Sequence, residues 1–147
     1  NGISHCREAS GTIWNRSKGV QTMEWTVVKK ISTPDFDIEA GAAKIGEDIL
    51  LYIQGGDKPH IGCTVMAVPR PSLSGNGERS VTSSVMNLTG HKDESICRML
   101  AEDVCRTCGK TVVCTGGVHL ENITAEQINE VRIAAEQLEE MLISELN

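Results

Sequence analysis

Aromatic residues are scarce: Phe, Trp and Tyr together make up 3% of the 147 residues. The core must therefore be built from Ile, Val, Leu, Met and Ala, and the length suits one ordinary domain. Long apolar runs are missing too. No stretch approaches the roughly 18 to 20 consecutive apolar residues that span a bilayer, and nothing near the start has the form of a secretory h-region. Positive charge is in deficit, with 14 Lys and Arg against 20 Asp and Glu and a formal net charge of -6. That balance argues against nucleic acid or an anionic membrane as the main partner, and a soluble cytoplasmic protein is expected.

Six cysteines are present, at positions 6, 63, 97, 105, 108 and 114. Several lie inside apolar runs, and with no secretion signal they read as reduced thiols acting as small core hydrophobes. The pair Cys105 and Cys108 forms a CxxC, but no second CxxC or HxxxH completes a zinc site. It also falls at a predicted helix end before Gly109, where the helix dipole disfavours a thiolate.

Residues 1–22 are unlike the rest, with no periodicity and little apolar content ahead of Met23. Lys18, Gly19 and Val20 are encodable by a ribosome-binding sequence at a sensible distance from a start codon. The expectation is a non-native or disordered leader over 1–22, with one domain over 23–147.

Within that domain, short extended runs come first. "WTVVKKI" is β-branched, and Phe36, Ile38, Ala40 and Ala42 alternate with Asp37 and Glu39 as in a half-exposed strand. Gly46, Glu47 and Asp48 read as a tight turn into "ILLYIQ", which is apolar on both faces and so central. "HIGCTVMAVP" is a strand stopped by Pro69 and Pro71, "PSLSGNGER" a loop, and "SVTSSVMNL" a hydroxyl-rich strand. A helix over about 92–108 follows, then "TVVCT" as a short buried strand, then a helix over 124–146 opened by the capping box Thr124 to Gln127 and stapled by Ile123 and Ile128. The fold class is α+β: one domain with a mostly antiparallel sheet of about five to six strands and two main helices.

Three of the four histidines share a setting. His60, His91 and His119 each follow a glycine at the end of an apolar run, in "GGDKPHIG", "TGHKDE" and "TGGVHLENIT". Antiparallel pairing of "HIGCTVMAVP" with "SVTSSVMNL" places His91 near His60. A right-handed crossover through the first helix then brings His119 to the same rim, with Lys58 and Lys92. Gly-Gly turns, helix N-termini, Lys and His suit an anion such as phosphate. A three-histidine zinc site, a general base, and histidines that merely cap strand or helix ends are the other readings. Against zinc, no carboxylate is evident to orient the imidazoles. Thr82, Ser83 and Ser84 are candidates to line a cleft, whereas hairpin geometry puts Arg70 and Ser72 at the opposite end.

The stretches "GGDKPHIGCTVMAVPRPSL", "SVTSSVMNLTGHKDE" and "GGVHLENITAEQI" resemble the LpdD-like accessory proteins encoded beside UbiD-type decarboxylases, over about Trp25 to Leu146. The resemblance implies a fold like that of proteasome assembly chaperones. It also implies a non-catalytic chaperone that binds prenylated FMN and helps mature a UbiD-type aromatic acid decarboxylase, with the flavin prenyltransferase as a further partner. The matching positions His60, Arg70, Ser72, Thr82, Ser83, Ser84, His91, Lys92 and His119 become cofactor-binding candidates. Flavin rings often stack on aromatic side chains, and here Met and aliphatic residues would have to serve. A small histidine- or metal-dependent enzyme and a purely structural subunit are the alternatives, and self-association through an unprotected strand gives a homodimer.

Overall fold

The structure, a computed structural model, describes residues 19, 22–90 and 93–147. Its elements run β1 (Trp25–Ser32), β2 (Asp37–Ile45), β3 (Asp48–Gly56), β4 (Cys63–Pro71), β5 (Arg79–Asn87), α1 (Glu94–Cys108), β6 (Val112–His119) and α2 (Ala125–Leu146). One sheet contains all six strands in the order β1-β2-β3-β6-β4-β5. Only the β3–β6 pair is parallel; β1–β2, β2–β3, β4–β5 and β4–β6 are antiparallel. This is the expected α+β domain. β6 enters the middle of the sheet, between β3 and β4, because α1 carries the chain back across β4 to give β6 the same direction as β5.

Both helices cover one face. α1 packs on β4, β5 and β6, and α2 on β1 and β2. Between helices and sheet, Ile38, Leu51, Ile53, Val65, Val112, Leu100, Val104, Leu138 and Leu142 are fully buried. At roughly 1.5–3 kcal/mol for each fully buried large aliphatic side chain, this layer supplies most of the folding drive. The other face carries no helix. Trp25, Val28, Met66, Val68 and Met86 stay exposed there, and Trp25 meets Tyr52 edge-on at 4.6 Å between ring centroids. "ILLYIQ" is central as expected, but its second apolar set, Leu50 and Tyr52, lies half-buried on this uncovered face. Gly41 is buried beneath the Tyr52 ring, which occupies the space a side chain would need.

β4 continues through both prolines that the sequence reading treated as its stop. The register explains why. β6 pairs with β4 only over Cys63–Ala67, so beyond Ala67 that side of β4 is free of a ladder and a missing N–H costs little. The Gly-Gly pairs are likewise strand residues and not turns: Gly55 and Gly56 close β3, and Gly116 and Gly117 lie within β6, which runs on past "TVVCT" to His119. Gly116 has φ 139°, and a Cβ there would overlap the carbonyl of Ile53 on the neighbouring strand, so only glycine lets β3 and β6 approach this closely.

The helix ends follow local chemistry. Gly109 takes the left-handed conformation at the end of α1, and the Arg79 guanidinium donates to the carbonyls of Arg106 and Thr107 in its last turn. In α2 the capping box is complete: Thr124 accepts from the Gln127 N–H, and the Gln127 side chain accepts from the Thr124 N–H. Among the described residues no helix is long and apolar enough to cross a membrane. Of the expected leader, all but Gly19 and Thr22 lies outside the described residues.

Candidate functional site

The site lies at the rim where β3 and β6 end together and β4 begins. Gly56 pairs with His119 in the parallel ladder, while His60 sits in the loop that leads from β3 towards β4. Their rings come within 6.1 Å, centroid to centroid, at nearly right angles. The convergence expected of His60 and His119 is thus present. His91 and Lys92 lie outside the described residues.

A carboxylate lies at the centre of this rim. Asp93, the residue before α1, is 6% exposed. Its Oδ1 accepts from the Val118 N–H at 2.9 Å, and its Oδ2 lies 3.2 Å from His60 Nε2. The other ring nitrogen, Nδ1, lies 3.0 Å from the Lys58 carbonyl. Each ring nitrogen of His60 thus faces an oxygen, the carboxylate on one side and a backbone carbonyl on the other. Two glycines make room for the pair: a Cβ at Gly62 would overlap Asp93 Oδ2, and one at Gly117 would sit 2.8 Å from both Asp93 Oδ2 and His60 Nε2. The sequence reading saw no carboxylate to orient the histidines, and Asp93 is that carboxylate. In the sequence it is one acid at the start of a predicted helix; its distinguishing feature, burial against β6, is invisible in a local pattern.

Around the pair the surface is mixed in sign. Lys58 pairs with Glu121, whose carboxyl is held below its ordinary range first by that ammonium and then by His119, 3.7 Å away. The Glu121 N–H donates to Asp57, and the Asp57 N–H to the His119 carbonyl. The N–H of Gly62 is engaged by the Gly116 carbonyl. The Gly-Gly pairs expected to cradle an anion at turns are instead paired strand residues of β3 and β6. Among the described residues no three His, Cys, Asp or Glu side chains are grouped as metal ligands would be.

The other candidates are dispersed. Thr82 and Ser84 are exposed on the helix-free face, where the Arg70 Nε donates to Thr82 at 2.9 Å. Ser83 points the opposite way and bonds with Glu102 and Arg98 of α1. Ser72 bonds with Ser74 in the β4–β5 connection, at the far end of β4 from His60, as hairpin geometry led one to expect. Period-2 alternation therefore splits the hydroxyl-rich strand between two faces.

Beside the rim, between the first turns of α1 and α2, a groove of about 570 Å³ opens. Met99, Val118, Ile123, Ile128 and Val131 line it, together with Asp93 and His119 of the rim. The two isoleucines that the sequence offers as a helix staple thus also form a groove wall.

Beneath the rim three thiols meet in the core. Cys63, Cys97 and Cys114 are buried, and the Cys97 Sγ lies 3.9 Å from the carbonyls of Cys63 and Gly116. Burial pushes the Cys63 thiol up to about 12, and a hydrogen bond with Cys97 together with burial raises that of Cys114. Cys105 is buried and Cys108 half-buried at the end of α1, and burial raises both.

Fold and site together define a two-layer α+β domain with a polar rim beside a largely apolar groove. The family model described as the prenylated flavin chaperone LpdD-like domain matches residues 32–147. The chain belongs to that family, a family of non-catalytic accessory proteins. It is 29% identical over 117 residues to Protein LpdD of Lactiplantibacillus plantarum, covering 74% of this chain and 76% of that protein. A chain from a crystal structure of a chaperone complex for yeast 20S proteasome assembly aligns with a TM-score of 0.49 and 16% identity, over 85% of this chain and 98% of that one.

Proposed function

We propose that the protein binds prenylated FMN and holds it for a UbiD-type aromatic acid decarboxylase, whose maturation it assists. Membership of the LpdD-like family carries this reading. The rim supports it: His60, oriented by Asp93, and His119 stand at the carboxyl ends of β3 and β6, beside a groove of small-molecule size. His60 and His119 contact the flavin's polar groups; His91 and Lys92, outside the described residues, are assigned to the same ligand on the sequence resemblance alone. Arg70, Ser72, Thr82, Ser83 and Ser84 then have no part in that contact unless the ligand or a partner reaches a second surface. The edges β1 and β5 leave strand backbone for pairing, which supports a homodimer. The flavin prenyltransferase is the source from which the protein receives its ligand.

Anaerobic titration with prenylated FMN, alongside unmodified FMN, tests the reading. Saturable binding weakened in His60→Ala and His119→Ala is the expected result. A protein that binds neither flavin, yet still co-purifies with the decarboxylase, is a structural subunit, and the proposal fails.

A further inference from the structure

The groove between α1 and α2 has walls and a mouth of opposite character. Ile96, Met99, Val118, Ile123, Ile128 and Val131 give it an apolar lining, with no Phe, Trp or Tyr among the described residues that line it. Asp93 and His119, which belong to the rim, also line the groove, so groove and rim adjoin. The charges along its α2 edge are matched: Arg132 pairs with Glu136 and also donates to Asn129. Ile128 is 56% exposed and Ile123 40%, so both present apolar surface at the groove.

We infer that this groove takes the ring system of the prenylated flavin, apolar side chains flanking its faces, with the ligand's polar end directed to the rim at His119. The inference rests on the reading of the protein as a prenylated-flavin carrier and adds where the ring lies. About 570 Å³ is within the roughly 300–1,000 Å³ usual for small-molecule sites. Such a wall grips by excluding water from apolar surface. The carbons that prenylation adds therefore strengthen binding here, and unmodified FMN, which lacks them, is held less tightly. The helix-free face would behave otherwise. Trp25 and Tyr52 stand there, and a flavin on that face would lie within reach of both.

The test is titration of the full chain with prenylated FMN and FMN, in wild type, Ile128→Glu, Ser95→Trp and Met66→Glu. Circular dichroism melts check that each variant folds. Ile128 and Ser95 are exposed groove residues, so neither change disturbs the core; Met66 is the control on the helix-free face. A charged wall or an indole in the groove should each weaken prenylated FMN at least about tenfold, some 1.4 kcal/mol, and narrow the preference over FMN, while Met66→Glu binds as wild type does. If wild type binds and both groove variants match it, or Met66→Glu alone loses binding, the groove assignment is overturned and the carrier function stands. If wild type binds neither flavin, the function and the groove fall together.

Discussion

Asp93 Oδ2 lies 3.2 Å from His60 Nε2, across 33 positions of sequence, while Asp93 Oδ1 accepts from the Val118 N–H at 2.9 Å. One carboxylate thus fixes the start of α1, the end of β6 and the loop before β4 relative to one another. Orientation of His60 and integrity of the rim are the same structural fact.

Replacing Asp93 with Ala leaves the Val118 N–H without this acceptor and His60 without its nearest anion. Loss of a buried acceptor costs about 1–3 kcal/mol, so the melting temperature should fall by several degrees. Gly117→Ala is the sharper probe of the site. Its Cβ would sit 2.8 Å from both members of the pair, so flavin binding should weaken through displacement of His60. Thermal melts together with flavin titration separate the two effects; unchanged binding in a folded Gly117→Ala protein would show that the pair's geometry does not matter to the ligand.

Glu139 of α2 is pushed up to about 7 from 4.5, first by burial and then by Asp103 of α1, with Glu136 and Glu140 adding to the effect. The sign follows from linkage: the fold binds a proton more tightly than the unfolded chain, so Glu139 costs nothing below about pH 4.5 and destabilises progressively as pH climbs to about 7. Glu139→Gln should therefore gain a few degrees over wild type at pH 8 and nothing at pH 4.5, read by calorimetric melts of both proteins across that range.

Alkylation should divide the described thiols by burial. At pH 8 in the native state, Cys63, Cys105 and Cys114 should resist iodoacetamide, since each is buried and its thiol is raised, while half-buried Cys108 reacts first. Peptide mass spectrometry gives the order, and fast native labelling of Cys63 or Cys114 would contradict the burial described for the core.

Thr124→Ala removes one half of the capping box that starts α2. A loss of about 1 kcal/mol is expected in denaturant melts. Because Ile123 and Ile128 flank that cap at the groove edge, the variant should also loosen ligand binding, measurable in the same titration.

Much of the architecture was legible from local pattern. Gly109 ends α1, Thr124 to Gln127 start α2, and Phe36, Ile38, Ala40 and Ala42 are the buried set of β2, because capping, helical period and strand alternation are written within a few residues of one another. Even the meeting of His60 and His119 followed from strand direction. Two misreadings share a cause: Pro69 and Pro71 looked like a strand end, and Gly116 and Gly117 like a turn, because the residue types were judged without their neighbours across the sheet.

By itself, then, the sequence determined the elements, their order and their directions, since these depend on interactions between residues near in the chain. Tertiary structure alone decided that β6 enters between β3 and β4, that Asp93 is buried against His60, and that a groove opens between the helices. Those outcomes are set by which strands share a ladder and which side chains that ladder brings together, over separations at which residue spacing carries no signal.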